Sequence, residues 1–230
     1  MSSQWIDIST SQESFGSYLA LPQGGKGPAV VIIQEIFGVN GHIRSIADQY
    51  ATDGYVALAP DVFWRTQRRV ELGYEGADYD QGIALLQKTD VHQAANDIAA
   101  TVDALRTRPE VEGKVAGIGY CFGGRLAYLA TSSGVFDATV VYYGGGIQNH
   151  LDVANHITQP IMFHYAGLDH GITPEHVEQV KAAFAGRSNA VVHLYPKADH
   201  GFNCNVRASY DQRAAALAHG RTLQFLAENL

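Results

Sequence analysis

The segment at residues 119–123, with the sequence Gly-Tyr-Cys-Phe-Gly, constrains the fold more than any other feature of this 230-residue chain. It follows the apolar run at residues 115–118 and precedes residues 126–130, which have the character of a helix. A reactive residue between two such glycines is typical of a tight turn from a strand into a helix, because a Cβ at either glycine would clash where the backbone reverses. The pattern therefore predicts that Cys121 lies at the N-terminus of a helix, where the helix dipole favours a thiolate.

Two other interpretations of this segment stay open. A cysteine that follows a buried strand is often a simple core residue. The glycines at 117, 119 and 123 also resemble a loosened nucleotide-binding loop of an oxidoreductase, but that loop needs an acidic residue at the end of the next strand, about 20 residues further on. Here the nearest acid, Asp137, precedes its strand, and that strand ends in Tyr142 and Tyr143. The nucleophile interpretation is therefore favoured.

Strands alternate with helices along the chain, which predicts an α/β fold with a mostly parallel central sheet between two layers of helices. No linker-like stretch divides residues 1–230, so we expect a single domain. Strands are expected at residues 5–8, 14–20, 29–33, 55–59, 114–119, 138–143, 161–165 and 190–195, and helices at 43–53, 91–106, 126–130, 174–184 and 209–230. Residues 61–80 are expected to form a loop, with a short helix after it.

Charge and cysteine content exclude several function classes. The net charge of −7, from 23 acidic and 16 basic side chains, leaves no concentrated basic face for nucleic acid. The N-terminus carries no secretory signal pattern, and the longest apolar run, at residues 29–33, is too short to span a bilayer. Two cysteines without C-x-x-C spacing fit a reducing compartment, so the sequence predicts a cytoplasmic protein with no membrane association.

Two further polar residues follow predicted strands. Asp169 comes just after the strand at 161–165, and His200 comes just after the strand at 190–195. Both therefore belong to the carboxyl-terminal edge of the sheet, where α/β active sites form. The chain order of nucleophile, acid and histidine is the order that α/β-hydrolases use.

With these motifs the chain resembles the dienelactone hydrolase family, the carboxymethylenebutenolidase-like proteins of the α/β-hydrolase superfamily. The stretches that carry the resemblance keep the family's order and lie at residues 34–38, 119–124, 142–144, 167–170 and 199–202. The resemblance implies a three-layer α/β-hydrolase fold. It also implies that Cys121 is the nucleophile, His200 the base and Asp169 the acid that orients it, with Glu35 as a second acid near the thiol.

These residues predict the hydrolysis of a carboxylic ester or lactone through a thioester on Cys121, without a cofactor. The backbone amides of Phe122 and Ile36 are expected to form the oxyanion hole. Glu35 follows a buried strand to the same sheet edge, where its carboxylate is placed to hold or release the thiol proton. No metal site is expected, since His150, His156, His164 and His170 offer no convergent ligand set.

Substrate recognition departs from the family pattern. The dienelactone-cleaving members hold the substrate carboxylate with arginines, one of them four residues after the catalytic histidine and one in a mid-chain helix. Here Cys204 occupies the first position, and no arginine lies between Arg69 and Arg106. Arg207 is a candidate to substitute from a shifted position, and a solvated surface arginine is the favoured interpretation of it. A neutral ester or lactone is at least as compatible with the sequence as an anionic dienelactone.

Aromatic residues are expected to line the substrate pocket, with packing in the core as the alternative, namely Phe37, Phe63, Trp64, Tyr74 and Tyr79. The expected partner is a small-molecule ester or lactone, and a homodimer is kept open as the assembly state. Two alternatives to a lactone-cleaving enzyme stay open, an esterase with a broad range of neutral esters and a non-catalytic binding protein on the same scaffold.

Overall fold

The computed structural model describes residues 1–10 and 13–230, and it confirms the expected α/β fold. One eight-stranded sheet runs through the molecule in the order β1-β2-β4-β3-β5-β6-β7-β8. Its strands are β1 (Ser2–Ser9), β2 (Ser14–Leu21), β3 (Gly27–Ile33), β4 (Val56–Pro60), β5 (Val111–Tyr120), β6 (Ala138–Tyr142), β7 (Ile161–Ala166) and β8 (Ala190–Tyr195). The pairs β1–β2 and β2–β4 are antiparallel, and the remaining pairs are parallel.

Six α-helices cover the two faces of the sheet. They are α1 (Gly41–Thr52), α2 (Gly76–Lys88), α3 (Val91–Arg106), α4 (Phe122–Ser132), α5 (Pro174–Ala183) and α6 (Gln212–Asn229). Within the described part of the chain, no helix is both long enough and apolar enough to cross a membrane.

The central strand β3 shows why the sheet needs helices on both faces. Val30 and Ile32 belong to the core cluster that contains residues of α1 and α6, whereas Val31 and Ile33 belong to the cluster that contains residues of α3 and α4. Successive side chains of a strand point to opposite faces, so a continuous apolar run is buried on both. The result is the three-layer architecture that the sequence predicts.

Several element boundaries differ from the sequence-based expectation; β5, for example, begins at Val111 rather than at residue 114, and α4 begins at Phe122 rather than at residue 126. Helix α2 begins at Gly76, inside the stretch expected to be a loop, and a 3₁₀ helix at Ile147–His156 was not expected at all. Helix α6 begins at Gln212 rather than at residue 209, because the Asp211 carboxylate accepts a hydrogen bond from the Ala214 amide at 2.9 Å and so caps the helix.

Candidate active site

Cys121 lies on a sharp turn between β5 and α4. Its backbone has φ 53° and ψ −114°, a conformation that costs a residue with a side chain roughly 1–3 kcal/mol. The Cys121 amide donates to the carbonyl oxygen of Tyr142 on β6 at 3.0 Å, which fixes the turn to the neighbouring strand. The thiol thus leaves the sheet at its carboxyl-terminal edge, immediately before the first residue of α4.

The flanking glycines have the steric role that the sequence predicts. A Cβ on Gly123 would overlap the carbonyl oxygens of Ile33 and Gln34, and a Cβ on Gly119 would overlap the backbone of Gly123. Both positions therefore exclude any side chain, because β3, β5 and the start of α4 approach one another through backbone atoms alone.

His200 and Asp169 form a short charged hydrogen bond. The Nδ1 atom of His200 lies 2.6 Å from Oδ2 of Asp169. The other carboxylate oxygen of Asp169 accepts from the amides of Gly171 at 2.8 Å and Ile172 at 3.0 Å. Because the carboxylate is buried and held at both oxygens, it fixes the orientation of the imidazole.

The Cys121 side chain is a second interaction partner of the His200 imidazole, through its charge and a hydrogen bond. Burial disfavours the imidazolium, but the negative charge of Cys121 and the hydrogen bond to Asp169 outweigh it, so the pKa of His200 rises well above its usual value. Burial also disfavours the Asp169 carboxylate, but His200 and the amides of Ile172 and Gly171 lower the pKa of that carboxyl below its usual value. The electrostatics thus favour a charged imidazolium beside the Asp169 carboxylate.

The parallel strands bring these residues to the same edge of the sheet. Glu35 follows β3, Cys121 follows β5, Asp169 follows β7 and His200 follows β8, and each lies beyond the carboxyl end of its strand. The structure therefore brings the predicted nucleophile, base and acid together at the sheet edge.

Glu35 lies among charged and polar groups at this edge, although it is almost fully buried, with 1% of its surface exposed. Its Oε1 atom is 3.4 Å from Nη1 of Arg207, and its Oε2 atom has no hydrogen-bond partner among the described residues. Burial raises the pKa of the Glu35 carboxyl, and the charges of Arg207 and His200 offset this only in part. Arg207 thus reaches the site from its shifted sequence position and interacts with Glu35.

A second polar cluster adjoins Glu35. Oxygen, nitrogen and sulfur atoms of Glu35, His42 and Cys204 all lie within 4.8 Å of one another, and all three side chains are buried. Burial, followed by the charge of Arg207, lowers the pKa of His42 to about 4. These are the residue types that could ligate a metal ion, but Arg207 already supplies a positive charge to Glu35. None of the four histidines considered from the sequence belongs to this cluster.

The two amides expected to bind an oxyanion are free to donate. No described residue accepts a hydrogen bond from the amide of Ile36 or of Phe122. Phe122 is the first residue of α4, where backbone N–H groups lack intrahelical partners. Ile36 follows Glu35 directly, on the loop after β3.

The aromatic residues expected around the pocket divide into two groups. Phe37 lies near Tyr79, with ring centroids 6.3 Å apart, and Tyr79 is exposed. Trp64 is not brought to the triad: its ring stacks on Phe15 at 5.4 Å and its Nε1–H donates to Asp97 of α3 at 2.8 Å. This corrects the expectation for Trp64, because an indole N–H that is buried needs an acceptor and Asp97 provides it.

Two residues near the candidate catalytic groups were not singled out from the sequence. His42 lies beside Cys204, and Arg125 is four residues after Cys121, on α4. Neither comes directly after a predicted strand, so the pattern of polar residues at strand ends does not indicate them. Tyr74, which is expected from the sequence to line the pocket, interacts with the charge of Glu35 and with the Cys204 thiol.

Comparisons with known proteins identify relatives of the chain by sequence and by structure. The sequence profile of the dienelactone hydrolase family matches residues 15–230. A carboxymethylenebutenolidase of Cupriavidus pinatubonensis is 34% identical over 229 residues, which cover 99% of this chain and 97% of the relative. The carboxymethylenebutenolidase of Pseudomonas putida is 34% identical over 215 residues, which cover 93% of this chain and 91% of the relative. A dienelactone hydrolase-type structure from Klebsiella pneumoniae superposes with a TM-score of 0.87 at 28% identity and covers 98% of both chains.

Proposed function

Because the chain belongs to the dienelactone hydrolase family, and is thereby a hydrolase of ester or lactone bonds, we propose that Cys121 is its nucleophile in a triad with His200 and Asp169. The observation that carries this proposal is the continuous contact from the thiol through the imidazole to the buried carboxylate, with 2.6 Å between His200 Nδ1 and Asp169 Oδ2. An imidazole held in this way both takes and returns a proton at the nucleophile.

The first half of the reaction forms a thioester. The thiolate of Cys121 attacks the carbonyl carbon, and the carbonyl oxygen becomes an oxyanion that accepts hydrogen bonds from the amides of Phe122 and Ile36. The C–O bond of the ester then breaks, and the imidazolium of His200 gives its proton to the departing alkoxide.

The second half restores the enzyme. The imidazole of His200, now neutral, removes a proton from a water molecule that attacks the thioester carbon. The C–S bond breaks and Cys121 leaves as a thiolate. The products are an alcohol and a carboxylic acid, or one hydroxy acid when the substrate is a lactone. The thiolate and the imidazolium are again paired at the end of the cycle.

Glu35 acts on the protonation state of the thiol in this proposal. Its position at the same sheet edge as Cys121, its contact with Arg207, its raised pKa and its unpaired Oε2 make it able to carry a proton inside the site. The Glu35–Arg207 contact holds the carboxyl group in place. The substrate we propose is a small ester or lactone that enters beside Phe37 and Tyr79.

Initial-rate hydrolysis of a neutral aryl ester and of an anionic dienelactone tests this proposal. Wild type is expected to turn over at least one of the two, and Cys121→Ala is expected to lose all measurable turnover, since removal of the nucleophile leaves no group to form the thioester. Cys204→Ala is the matched control, because it removes the other thiol, and it should keep the triad intact. Circular dichroism shows whether each variant is folded. A folded Cys121→Ala enzyme with wild-type rates rules out the proposed nucleophile.

A further inference from the structure

Three buried side chains from separate parts of the chain form a compact cluster beside the candidate active site. Glu35 follows β3, His42 lies in the first turn of α1, and Cys204 lies on the loop between β8 and α6. A carboxylate oxygen, a ring nitrogen and the sulfur atom of these residues all lie within 4.8 Å of one another. Oxygen, nitrogen and sulfur are the donor atoms with which proteins hold zinc. The cluster therefore has the composition of a metal site.

Two of these side chains have a buried polar atom that no other group satisfies. In the described part of the chain, Oε2 of Glu35 and Nε2 of His42 have no hydrogen-bond partner. Arg207 contacts only the other carboxylate oxygen, Oε1, at 3.4 Å. Unpaired polar atoms in a protein interior are destabilising, so two in one cluster indicate a ligand that both can bind. The Cys204 sulfur favours a metal ion over a water molecule, because a thiolate is a strong metal ligand and a thiol hydrogen-bonds weakly.

Tyr74 supports the Cys204 sulfur from outside the cluster. The Tyr74 hydroxyl accepts a hydrogen bond from Nδ2 of Asn40 at 3.0 Å, which leaves its own proton for the hydrogen bond with Cys204. A donor to the sulfur stabilises the thiolate, which is the form that ligates metals. Groups that orient the ligands in this way are a regular part of metal sites.

A groove between α1 and α6 gives the cluster a route to solvent. Its volume is about 410 Å³, and His42 forms part of its wall together with Asn203 and Asn205, the chain neighbours of Cys204. Among the described residues that line the groove, none is a lysine or an arginine. A cation can therefore approach His42 along this groove without passing a fixed positive charge.

We propose that Glu35, His42 and Cys204 bind a thiophilic divalent cation of the zinc type. The Cys204 thiol releases its proton to solvent as the sulfur–metal bond forms, and Glu35 keeps Oε1 on Arg207 while Oε2 binds the metal. Ligand atoms of a tetrahedral zinc site are about 3.3–3.8 Å apart, so side-chain movements of about 1 Å complete the geometry. Three protein ligands leave the fourth position to water.

Metal binding is expected to inhibit the hydrolase. Glu35 carries a proton in the proposed function, and a metal ion on its carboxylate prevents this. The inhibition therefore rests on the proposed function. The binding itself does not, because Cys121 is not one of the three ligands.

Co²⁺ tests the binding, because it occupies zinc-type sites and absorbs light. The titration uses the Cys121→Ala enzyme, in which Cys204 is the only thiol. We expect one Co²⁺ per chain with a sulfur-to-cobalt charge-transfer band, and loss of the band when Zn²⁺ is added. Absence of the band overturns the inference and leaves a bridging water as the partner of the two unpaired atoms.

Two ligand variants in this background locate the ion. Cys204→Ser and His42→Gln are each expected to weaken Co²⁺ binding at least about tenfold. His42→Gln leaves the sulfur in place, so it decides the matter if the serine variant does not fold. His92→Gln is the matched control, because His92 is exposed on α3. An unchanged affinity in His42→Gln, or in a folded Cys204→Ser protein, overturns the inference.

Inhibition of ester hydrolysis by Zn²⁺ tests the consequence in enzyme that retains Cys121. The Zn²⁺ concentration that halves the rate is expected to be at least about tenfold higher in His42→Gln than in His92→Gln, each compared with its own metal-free rate. Equal concentrations overturn the inhibitory role of the site. If Cys121→Ala keeps wild-type ester hydrolysis, the proposed function fails, and the Co²⁺ titration still decides whether the metal site exists.

Discussion

His200 is the residue whose pKa depends on several other groups of the site. Asp169 holds one ring nitrogen at 2.6 Å, and Cys121 is a second interaction partner of the ring. Of the groups that raise the pKa of His200, the negative charge of Cys121 contributes most, although burial acts in the opposite direction. The protonation of His200 therefore depends on the thiol as much as on the carboxylate.

Cys121→Ala is expected to move the titration of His200 to lower pH. Removal of the thiol deletes the main contribution that raises this pKa and leaves burial, which lowers it, in place. NMR of the imidazole signals during a pH titration measures the change. Cys204→Ala should leave the midpoint near its wild-type position, because Cys204 is not among the groups that shift it. Identical midpoints in wild type and Cys121→Ala would show that the thiol and the imidazole are not coupled.

At the scale of elements, the β5–turn–α4 unit is shaped by backbone-to-backbone contact. The strands and helix approach so closely at residues 119 and 123 that only glycine fits. Cys121 stays in its positive-φ conformation because its amide donates a hydrogen bond to the Tyr142 carbonyl oxygen on the adjacent strand. The geometry of Cys121 is thus a property of three packed elements.

Gly123→Ala is expected to destabilise the protein by about 1–3 kcal/mol, because the new methyl group overpacks against the carbonyls of Ile33 and Gln34. Activity should fall with it, since the turn that presents Cys121 must shift. Gly220→Ala is the contrasting variant: Gly220 lies inside α6 with open space around it, and alanine should raise stability there by about 0.5–1 kcal/mol. Urea unfolding curves give both values. Equal stabilities for the two variants would contradict the steric argument.

At the scale of the whole molecule, a buried polar network joins the last helix to the middle of the sheet. The hydroxyl of Thr222 on α6 lies 2.8 Å from the Tyr142 hydroxyl on β6 and 3.1 Å from Nε2 of His164 on β7. Nδ1 of His164 lies 2.9 Å from the hydroxyl of Tyr195 on β8. Burial lowers the pKa of His164 well below its usual value, so its neutral ring both donates and accepts in this network.

Thr222→Val is expected to lower the free energy of unfolding by about 1–3 kcal/mol, because it leaves the buried Tyr142 hydroxyl and His164 nitrogen without a partner. Thr222→Ser keeps the hydroxyl and should recover most of the loss. The transitions are followed by tryptophan fluorescence and circular dichroism, which should coincide for a cooperative unit. A valine variant as stable as wild type would mean that the network makes no net contribution to the free energy of unfolding.

The sequence predicts those features that local patterns dictate. The apolar run of β3, the 3.6-residue spacing of α3 and the glycines around Cys121 each fix a local conformation, and parallel strands then place their carboxyl ends at one edge. Pro174 predicted the start of α5 for a similar reason, since proline suits the first turn of a helix.

Contacts between distant segments could not be predicted in this way. Arg207 and Glu35 are 172 residues apart, so no local pattern indicates that they meet. Trp64 has the chemistry of a pocket residue, yet the position of Asp97 decides where its indole lies. The 3₁₀ helix at Ile147–His156 includes the non-helical backbone of His150, which breaks any regular apolar period.

The order of these residues along the chain also determines when they can meet during synthesis. Chains are synthesised from the N-terminus, so Cys121 leaves the ribosome before Asp169, and Asp169 before His200. Until β8 and the loop behind it have emerged and joined the sheet, the thiol has no imidazole beside it. In the nascent chain Cys121 therefore lacks the imidazole, and its interaction with His200 can form only after residue 200 has been made.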